Sequence, residues 1–136
     1  MTNHASGTFE VKLVPQVPED DVGDPCIGRM SLKKEFRGDL QAVSKGQMLA
    51  LRTGVDGSAG YVAIEWVTGS LGGREGGFGL QHYGIMRRGV PELILTVIPD
   101  SGTGELVGLD GKMRIVVANG AHSYEFDYDI GSPPEH

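Results

Sequence analysis

Apolar and polar residues alternate with a period of two along most of this chain, which is typical of β-strands that bury one face. The alternation first appears at Phe9–Leu13 and again at Met30–Phe36. A proline-rich, acidic stretch at 15–25 separates them and predicts an exposed loop. Further strands are predicted at Leu40–Arg52 (with Gly46 as a bulge), Tyr61–Leu71, Gly77–Arg87, Glu92–Pro99, Gly104–Leu109, Lys112–Ala118 and Ala121–Ile130.

This pattern predicts an all-β protein. No run of helical periodicity is long enough to form a layer, so eight or nine antiparallel strands must close into a barrel or stack as a sandwich. The interior of an eight-stranded barrel is filled by side chains or holds one small ligand. We predict a single domain over 5–130, followed by a frayed C-terminal tail at 131–136.

The last hairpin can be assigned a register from the sequence. Asn119-Gly120 predicts a type I′ turn, and pairing outward from it places opposite charges on one face and apolar residues on the other. Asp110-Gly111 predicts a second such turn, which would pair Leu106 with Ile115. The pairs expected around Asn119-Gly120 are Arg114 with Glu125, Lys112 with Asp127, Ile115 with Tyr124, and Met113 with Phe126.

Two predicted strands are apolar on both faces, namely Tyr61–Val67 and Leu93–Ile98. In an antiparallel protein without helices, the outer face of such a strand is usually covered by another subunit. The sequence therefore predicts a homo-oligomer, with Trp66 and the Leu93–Ile98 strand in the interface.

Composition narrows the class of protein. The 136 residues include 12 Lys and Arg against 18 Asp and Glu, a net charge of −6 that argues against a nucleic-acid partner. No window reaches the roughly 18 continuous apolar residues of a membrane helix, and residues 1–7 do not resemble a signal peptide. A single cysteine, Cys26, fits a reducing compartment, so we expect a cytoplasmic protein without a membrane partner.

Two glycine-rich motifs stand out in the second half of the chain. They read Glu65-x-Val67-x-Gly69-x-Leu71-x-Gly73-Arg74-x-Gly76-x-Phe78-x-Leu80-x-His82-x-Gly84 and Ser101-Gly102-Thr103-Gly104-Glu105-Leu106-Val107-Gly108-Leu109-Asp110-Gly111. Together they resemble a family of small bacterial proteins of uncharacterised function, whose domain is similar to the allene oxide cyclase barrel. The resemblance implies a closed antiparallel barrel of about eight strands with an internal cavity, in a subunit that tends to oligomerise. It supplies no reaction.

Glu65 and His82 are the candidate catalytic pair. A turn at Gly73-Arg74 would place them directly opposite each other, whereas a turn at Gly72-Gly73 would pair Glu65 with Leu80 and leave His82 diagonal on the same face. A three-residue loop would instead bring Gln81 and Tyr83 to that face. In a shared cavity, desolvation and ion pairing could poise the two groups near neutrality for proton transfer. The alternative is that this face is exterior, or that the pair is a buried structural hydrogen bond.

The same interpretation predicts an apolar cavity lining, made of Tyr61, Phe78, Leu80, Met86, Met113, Ile115, Tyr124 and Phe126. Core packing is the alternative for the aromatic stripe on the last strand. No histidine spacing fits a metal site and no motif fits a nucleotide, so no metal or other cofactor is expected. Lys33-Lys34 is predicted to lie on a solvated face.

The sequence thus favours a barrel that binds a small, largely apolar molecule, and its function would be either binding or a cofactor-free isomerisation or cyclisation in which Glu65 and His82 move a proton. Two alternatives remain open. One is a ligand-binding module without chemistry, and the other is a filled barrel that acts through its oligomer surface.

Overall fold

The computed structural model describes residues 2–131 and shows a closed antiparallel barrel in which each strand pairs with the next and the last pairs with the first. This confirms the predicted fold class. The strands are β1 (Asn3–Pro15), β2 (Gly28–Gly38), β3 (Leu40–Arg52), β4 (Ala59–Leu71), β5 (Arg74–Arg87), β6 (Val90–Val97), β7 (Leu109–Ala118) and β8 (Ala121–Ile130). Positions 132–136 of the predicted tail lie outside the described residues.

The predicted register of the β7–β8 hairpin is confirmed. Asn119 and Gly120 both have positive φ, at 53° and 76°, as a type I′ turn requires. The strand pairs follow the prediction, with Arg114 opposite Glu125, Lys112 opposite Asp127, Ile115 opposite Tyr124, and Met113 opposite Phe126. Turn chemistry and one buried face therefore suffice to set this register.

Three local predictions are wrong. The strand predicted at Gly104–Leu109 is instead a single turn of 3-10 helix at Gly104–Leu106, which begins at a glycine with φ of 61°. Asp110-Gly111 is not a turn, because β7 already starts at Leu109 and continues through both residues against β8. Leu106 therefore has no strand pairing with Ile115 and is instead buried in the core.

Gly46 is not a bulge, since the pairing of β3 with both neighbouring strands runs through it without an offset. A β-carbon at this position would lie 2.8 Å from the β-carbon of Glu65, its partner on β4. Real β-carbons do not approach each other so closely, so glycine is needed for β3 and β4 to meet at this point. The missing side chain leaves space beside the Glu65 side chain.

The two glycine-rich motifs pack against each other at one end of the barrel. The hydroxyl oxygens of Ser101 and Thr103 accept hydrogen bonds from the backbone N–H groups of Gly79 and Gly77, both at 3.0 Å. A β-carbon at Gly76 would lie 2.0 Å from the carbonyl oxygen of Thr103, so glycine is required for this approach. The segment after β6 thus closes this end, and Leu106 is 1% exposed beneath it.

The barrel interior has two distinct halves. The half near the 3-10 helix is filled by a continuous hydrophobic core that includes Phe36, Leu71, Phe78, Leu106, Tyr124 and Phe126. In the other half, several side chains on the inward face are only partly buried. We call these residues the open-end ring: Val11, Met30, Met48, Tyr61, Leu93 and Ile115.

The barrel wall is incomplete beside the open-end ring. Within residues 2–131, β6 and β7 pair only at Leu95 with Met113 and at Thr96 with Lys112, whereas the other neighbouring strands pair over seven positions or more. The paired register would continue to Leu93 and Ile115, but the strands are not bonded there. The seam between β6 and β7 is therefore the weakest part of the wall.

Candidate functional site

Glu65 and His82 lie inside the barrel, where they are 0% and 4% exposed. The β4–β5 turn is formed by Gly72 and Gly73, both with positive φ, so that Glu65 pairs with Leu80 and His82 is its diagonal neighbour on the same face. This is the second of the three loop geometries that the sequence allowed. The Glu65 face is thus the interior, and the Trp66 face is the exterior.

A third charged side chain joins the pair. Lys34 on β2 is 7% exposed, and its Nζ lies 2.9 Å from Oε2 of Glu65. The Nε2 of His82 bonds the same oxygen. Because β3 lies between β2 and β4, the cluster of Lys34, Glu65 and His82 crosses β3 on the inner face of the barrel. We call it the cross-barrel cluster.

The cross-barrel cluster fixes the ionisation of Glu65. Burial alone would raise the pKa of its carboxyl, but the hydrogen bond from His82 and the positive charge of Lys34 together outweigh burial and lower it to about 2. Glu65 is therefore a carboxylate at any physiological pH. The expectation that desolvation and ion pairing would poise this carboxyl near neutrality is wrong, because His82 and Lys34 together lower its pKa by more than burial raises it.

Tyr61 completes the site on the side of the open-end ring. Its hydroxyl lies 3.5 Å from Nδ1 of His82, and the two rings meet edge to face. Burial and the nearby charge of Glu65 raise the pKa of Tyr61 to about 12, so the phenol stays protonated. A β-carbon at Gly84 would lie 2.1 Å from the Tyr61 ring, so the glycine of the His82-x-Gly84 motif lets this ring lie across β5.

Two buried polar atoms near the cluster have no hydrogen-bond partner among the described residues, namely Oε1 of Glu65 and Oγ of Ser44. Ser44 pairs with Lys34 on one side and with Val67 on the other, so it lies on the inward face. Leaving such groups unpaired costs free energy, and folds rarely contain them without a functional reason.

Sequence reasoning missed Lys34 and Ser44. Lys34 was predicted to be solvated, but its ammonium group is buried 5.1 Å from the centre of the Phe9 ring and 5.7 Å from that of Phe36. The sequence does contain a signal for this burial. Lys34 occupies the same face of the predicted strand as Met30, Leu32 and Phe36, which is the inward face. A lysine at an apolar position of a strand is a candidate for a buried charge.

The predicted lining residues divide between the two halves of the barrel. Tyr61 and Ile115 belong to the open-end ring, and Met86 is 43% exposed near the start of the β5–β6 turn. The other five pack in the hydrophobic core beyond the cross-barrel cluster, which favours packing over ligand lining for them: Phe78, Leu80, Met113, Tyr124 and Phe126.

Across residues 2–131, no group of three or more His, Cys, Asp or Glu side chains is arranged to hold a metal ion. Over the same residues, no helix has the length and apolar character needed to span a membrane.

Comparison with known proteins places the chain in a family. The model for the family described as "Protein of unknown function (DUF3224)" matches residues 5–128. The chain belongs to the DUF3224 family. A solved structure of a DUF3224 protein with unknown function from Shewanella oneidensis MR-1 is similar, with 48% sequence identity and a TM-score of 0.90, and the match covers 97% of this chain and 99% of that one. No curated protein matches this DUF3224 protein.

Proposed function

We propose that this DUF3224 protein binds a small, largely apolar molecule at the open end of its barrel, with a polar head group of the ligand against the cross-barrel cluster. The observation that supports this most is the position of the cluster between a filled core and a ring of partly exposed apolar side chains. Burying Lys34 and Glu65 is costly, and an apolar pair of similar volume would often serve stability as well.

The site offers hydrogen-bond donors to a ligand. The Lys34 ammonium has three N–H donors, of which one reaches Glu65, and the Tyr61 hydroxyl makes only a long contact to His82. The charges of Lys34 and Glu65 cancel each other. We therefore expect a ligand whose head group carries an acceptor oxygen, such as a carbonyl or a carboxylate.

The apolar body of the ligand would lie against the open-end ring. Its members come from six different strands, so together they surround the barrel axis. The β6–β7 seam opens beside Leu93 and Ile115, and parting these weakly paired strands widens the entrance without breaking a long ladder. Small-molecule sites in proteins commonly combine apolar walls with a few placed polar groups.

Fluorescence of 1-anilinonaphthalene-8-sulfonate tests this proposal, because the dye combines an apolar body with an acceptor head. We expect saturable binding that 2-decanone or decanoate displaces, and at least a tenfold loss of affinity in Met48→Arg. Thr8→Arg is the matched control, since Thr8 is exposed on the outer face of β1, and Ile64→Lys probes the outer apolar face, where Ile64 is 58% exposed. Dye binding that survives Met48→Arg but is lost in Ile64→Lys would place the site on the outer surface and refute the proposal.

Native mass spectrometry of protein purified gently from its own host gives an independent measurement. A retained small molecule that is absent from the Met48→Arg variant supports the open-end site. A retained molecule that both proteins carry equally contradicts it.

We also infer that the protein self-associates through the outer face of β3 to β6. One row of paired residues crosses these four strands, and all four are half-exposed apolar side chains: Leu49, Val62, Tyr83 and Ile94. Ile64 and Trp66 extend the patch along β4. A contiguous apolar patch of this kind is typical of protein–protein interfaces.

The charges around this patch favour a second copy of the chain as the partner. Lys45 on β3, beside Trp66, and Glu92 on β6, beside Ile85, are exposed at diagonally opposite corners of the face. A two-fold axis can therefore place Lys45 of one protomer opposite Glu92 of its partner, and the reverse pair forms by symmetry. The apolar centre of each copy would then cover that of the other.

A further inference from the structure

The ionised Glu65 determines which nitrogen of His82 carries a proton. A carboxylate can only accept hydrogen bonds, so the Nε2 atom that contacts Oε2 must be the N–H donor. In the neutral ring, the lone pair is then on Nδ1. Lys34 bonds the same carboxylate oxygen at 2.9 Å and keeps Glu65 in its charged form. Because the charged carboxylate can only accept a hydrogen bond from Nε2, this tautomer of His82 is favoured.

The Nδ1 atom of His82 lies on the side of the ring that faces Tyr61. Its neighbour is the Tyr61 hydroxyl at 3.5 Å, which is too long for a strong hydrogen bond and leaves the nitrogen available. Tyr61 belongs to the open-end ring, whereas Glu65 lies behind His82 and is fully buried. A basic nitrogen and a phenolic proton donor thus lie side by side, next to the open-end ring.

We propose that this site transfers protons on the bound molecule, with Nδ1 of His82 as the general base and the Tyr61 hydroxyl as the hydrogen-bond donor to the oxygen that gains charge. Both would be catalytic residues, and Glu65 would be a positioning residue that acts through Nε2. The proposal rests on the proposed ligand site. It reassigns the pair suggested by the sequence, since Glu65 itself no longer exchanges a proton with the substrate.

The elimination of 5-nitrobenzisoxazole tests for such a base without knowledge of the natural ligand. His82 removes the proton from C3, the C–H electron pair forms the carbon–nitrogen triple bond, and the N–O bond breaks to release 2-cyano-4-nitrophenolate. The proton remains on Nδ1 and then passes to water. We expect a rate constant about 10²-fold or more above that of free imidazole at the same pH, which is the usual range for a positioned general base.

The variants separate the roles. We expect His82→Gln to reduce the rate to background, Tyr61→Phe to lower kcat by about tenfold with little change in KM, and Glu65→Gln to lower kcat by at least tenfold. His4→Gln is the matched control, because His4 also contacts two carboxylates, Glu125 and Asp127, but on the exposed surface. A rate equal to that of free imidazole, or one that persists in His82→Gln, overturns the proposal.

Nitrogen-15 NMR of the unmodified protein provides a test that does not depend on a variant folding. We expect the neutral ring of His82 to carry its proton on Nε2, and a neutral ring protonated on Nδ1 would overturn the proposal. Displacement of 1-anilinonaphthalene-8-sulfonate in the same samples distinguishes a failure of the proton-transfer proposal from a failure of the proposed ligand site. Retained dye binding without elimination activity refutes proton transfer alone, whereas loss of specific dye binding refutes the ligand site.

Discussion

Lys34 and His82 bond the same oxygen of Glu65, although they project from β2 and β5. Two donors converge on one carboxylate oxygen and leave the other, Oε1, without a partner among the described residues. The hydrogen bond from His82 and the positive charge of Lys34 act on one atom, which explains why the carboxyl group stays ionised despite complete burial. The arrangement also links β2, β4 and β5 on the inner face of the barrel, at the boundary between the filled core and the open-end ring.

Glu65→Gln should destabilise the protein most strongly at neutral pH. The pKa of Glu65 is about 2 in the folded protein against an ordinary value of 4.5, so its charged form stabilises the fold above pH 4.5. This contribution, on the order of 3 kcal/mol, is lost as the pH falls from 4.5 through 2. Urea unfolding across this pH range should therefore show a large difference between wild type and variant near neutrality and a small one in acid.

Glu10→Gln is the control for this measurement, because Glu10 pairs with Arg37 at 3.6 Å on the exposed surface. Its effect should stay within about 0.5 kcal/mol at every pH, as is usual for surface ion pairs. A Glu65→Gln effect that does not shrink in acid would contradict the assigned ionisation.

Ser44→Ala should leave stability unchanged or raise it by about 1 kcal/mol. The Ser44 hydroxyl is buried without a hydrogen-bond partner, so removing it eliminates a desolvation cost and breaks no bond that the structure shows. Differential scanning calorimetry would detect the change as a higher Tm. A loss of more than about 1 kcal/mol would instead mean that the hydroxyl holds a bound water or ligand atom.

The fold was predictable because its signals are local. The Asn119-Gly120 turn and the alternation around it are enough to set the β7–β8 register, and glycine turns divide the rest of the chain into strands. The failures occur where distant segments decide the outcome. Gly104–Leu109 has the composition of a strand, but Leu106 is drawn into the core at the closed end of the barrel and the chain turns there instead.

The candidate site was only half predictable for the same reason. Glu65 and His82 lie in one hairpin, so the turn between them restricts their geometry to a few possibilities. Lys34 reaches Glu65 from a strand that does not pair with β4, and the two come together only because β2 and β4 both pair with β3 in the observed registers. The pKa of Glu65 depends on that contact, so the roles of Glu65 and His82 could not be assigned before the barrel was known.

Tyr124→Phe should cost about 1–3 kcal/mol in the free energy of unfolding. The Tyr124 hydroxyl accepts a hydrogen bond from the backbone N–H of Leu40 and donates one to the carbonyl of Arg37, both at 2.9 Å. It therefore holds the β2–β3 turn against β8, and its removal leaves a buried N–H unpaired. Tyr83→Phe, on the half-exposed outer face, is the control and should change stability by less than about 0.5 kcal/mol in urea unfolding.

Ile64→Lys should convert a self-associated protein into monomers. Ile64 is at the centre of the outer apolar patch, and a lysine there would have to lose its hydration in the interface. Sedimentation velocity over a range of protein concentrations measures the change. Thr8→Lys on the outer face of β1, away from the patch, should leave the oligomeric state unaltered.

Charge reversal tests the two-fold arrangement itself. Lys45→Glu and Glu92→Lys should each weaken association at low salt, because each places like charges opposite each other at both corners of the interface. The double variant restores opposite charges and should recover much of the affinity, a result that a merely structural effect of either substitution would not produce. Additive losses in the double variant would exclude this orientation, and a wild-type protein that is monomeric at every concentration would exclude self-association through this face.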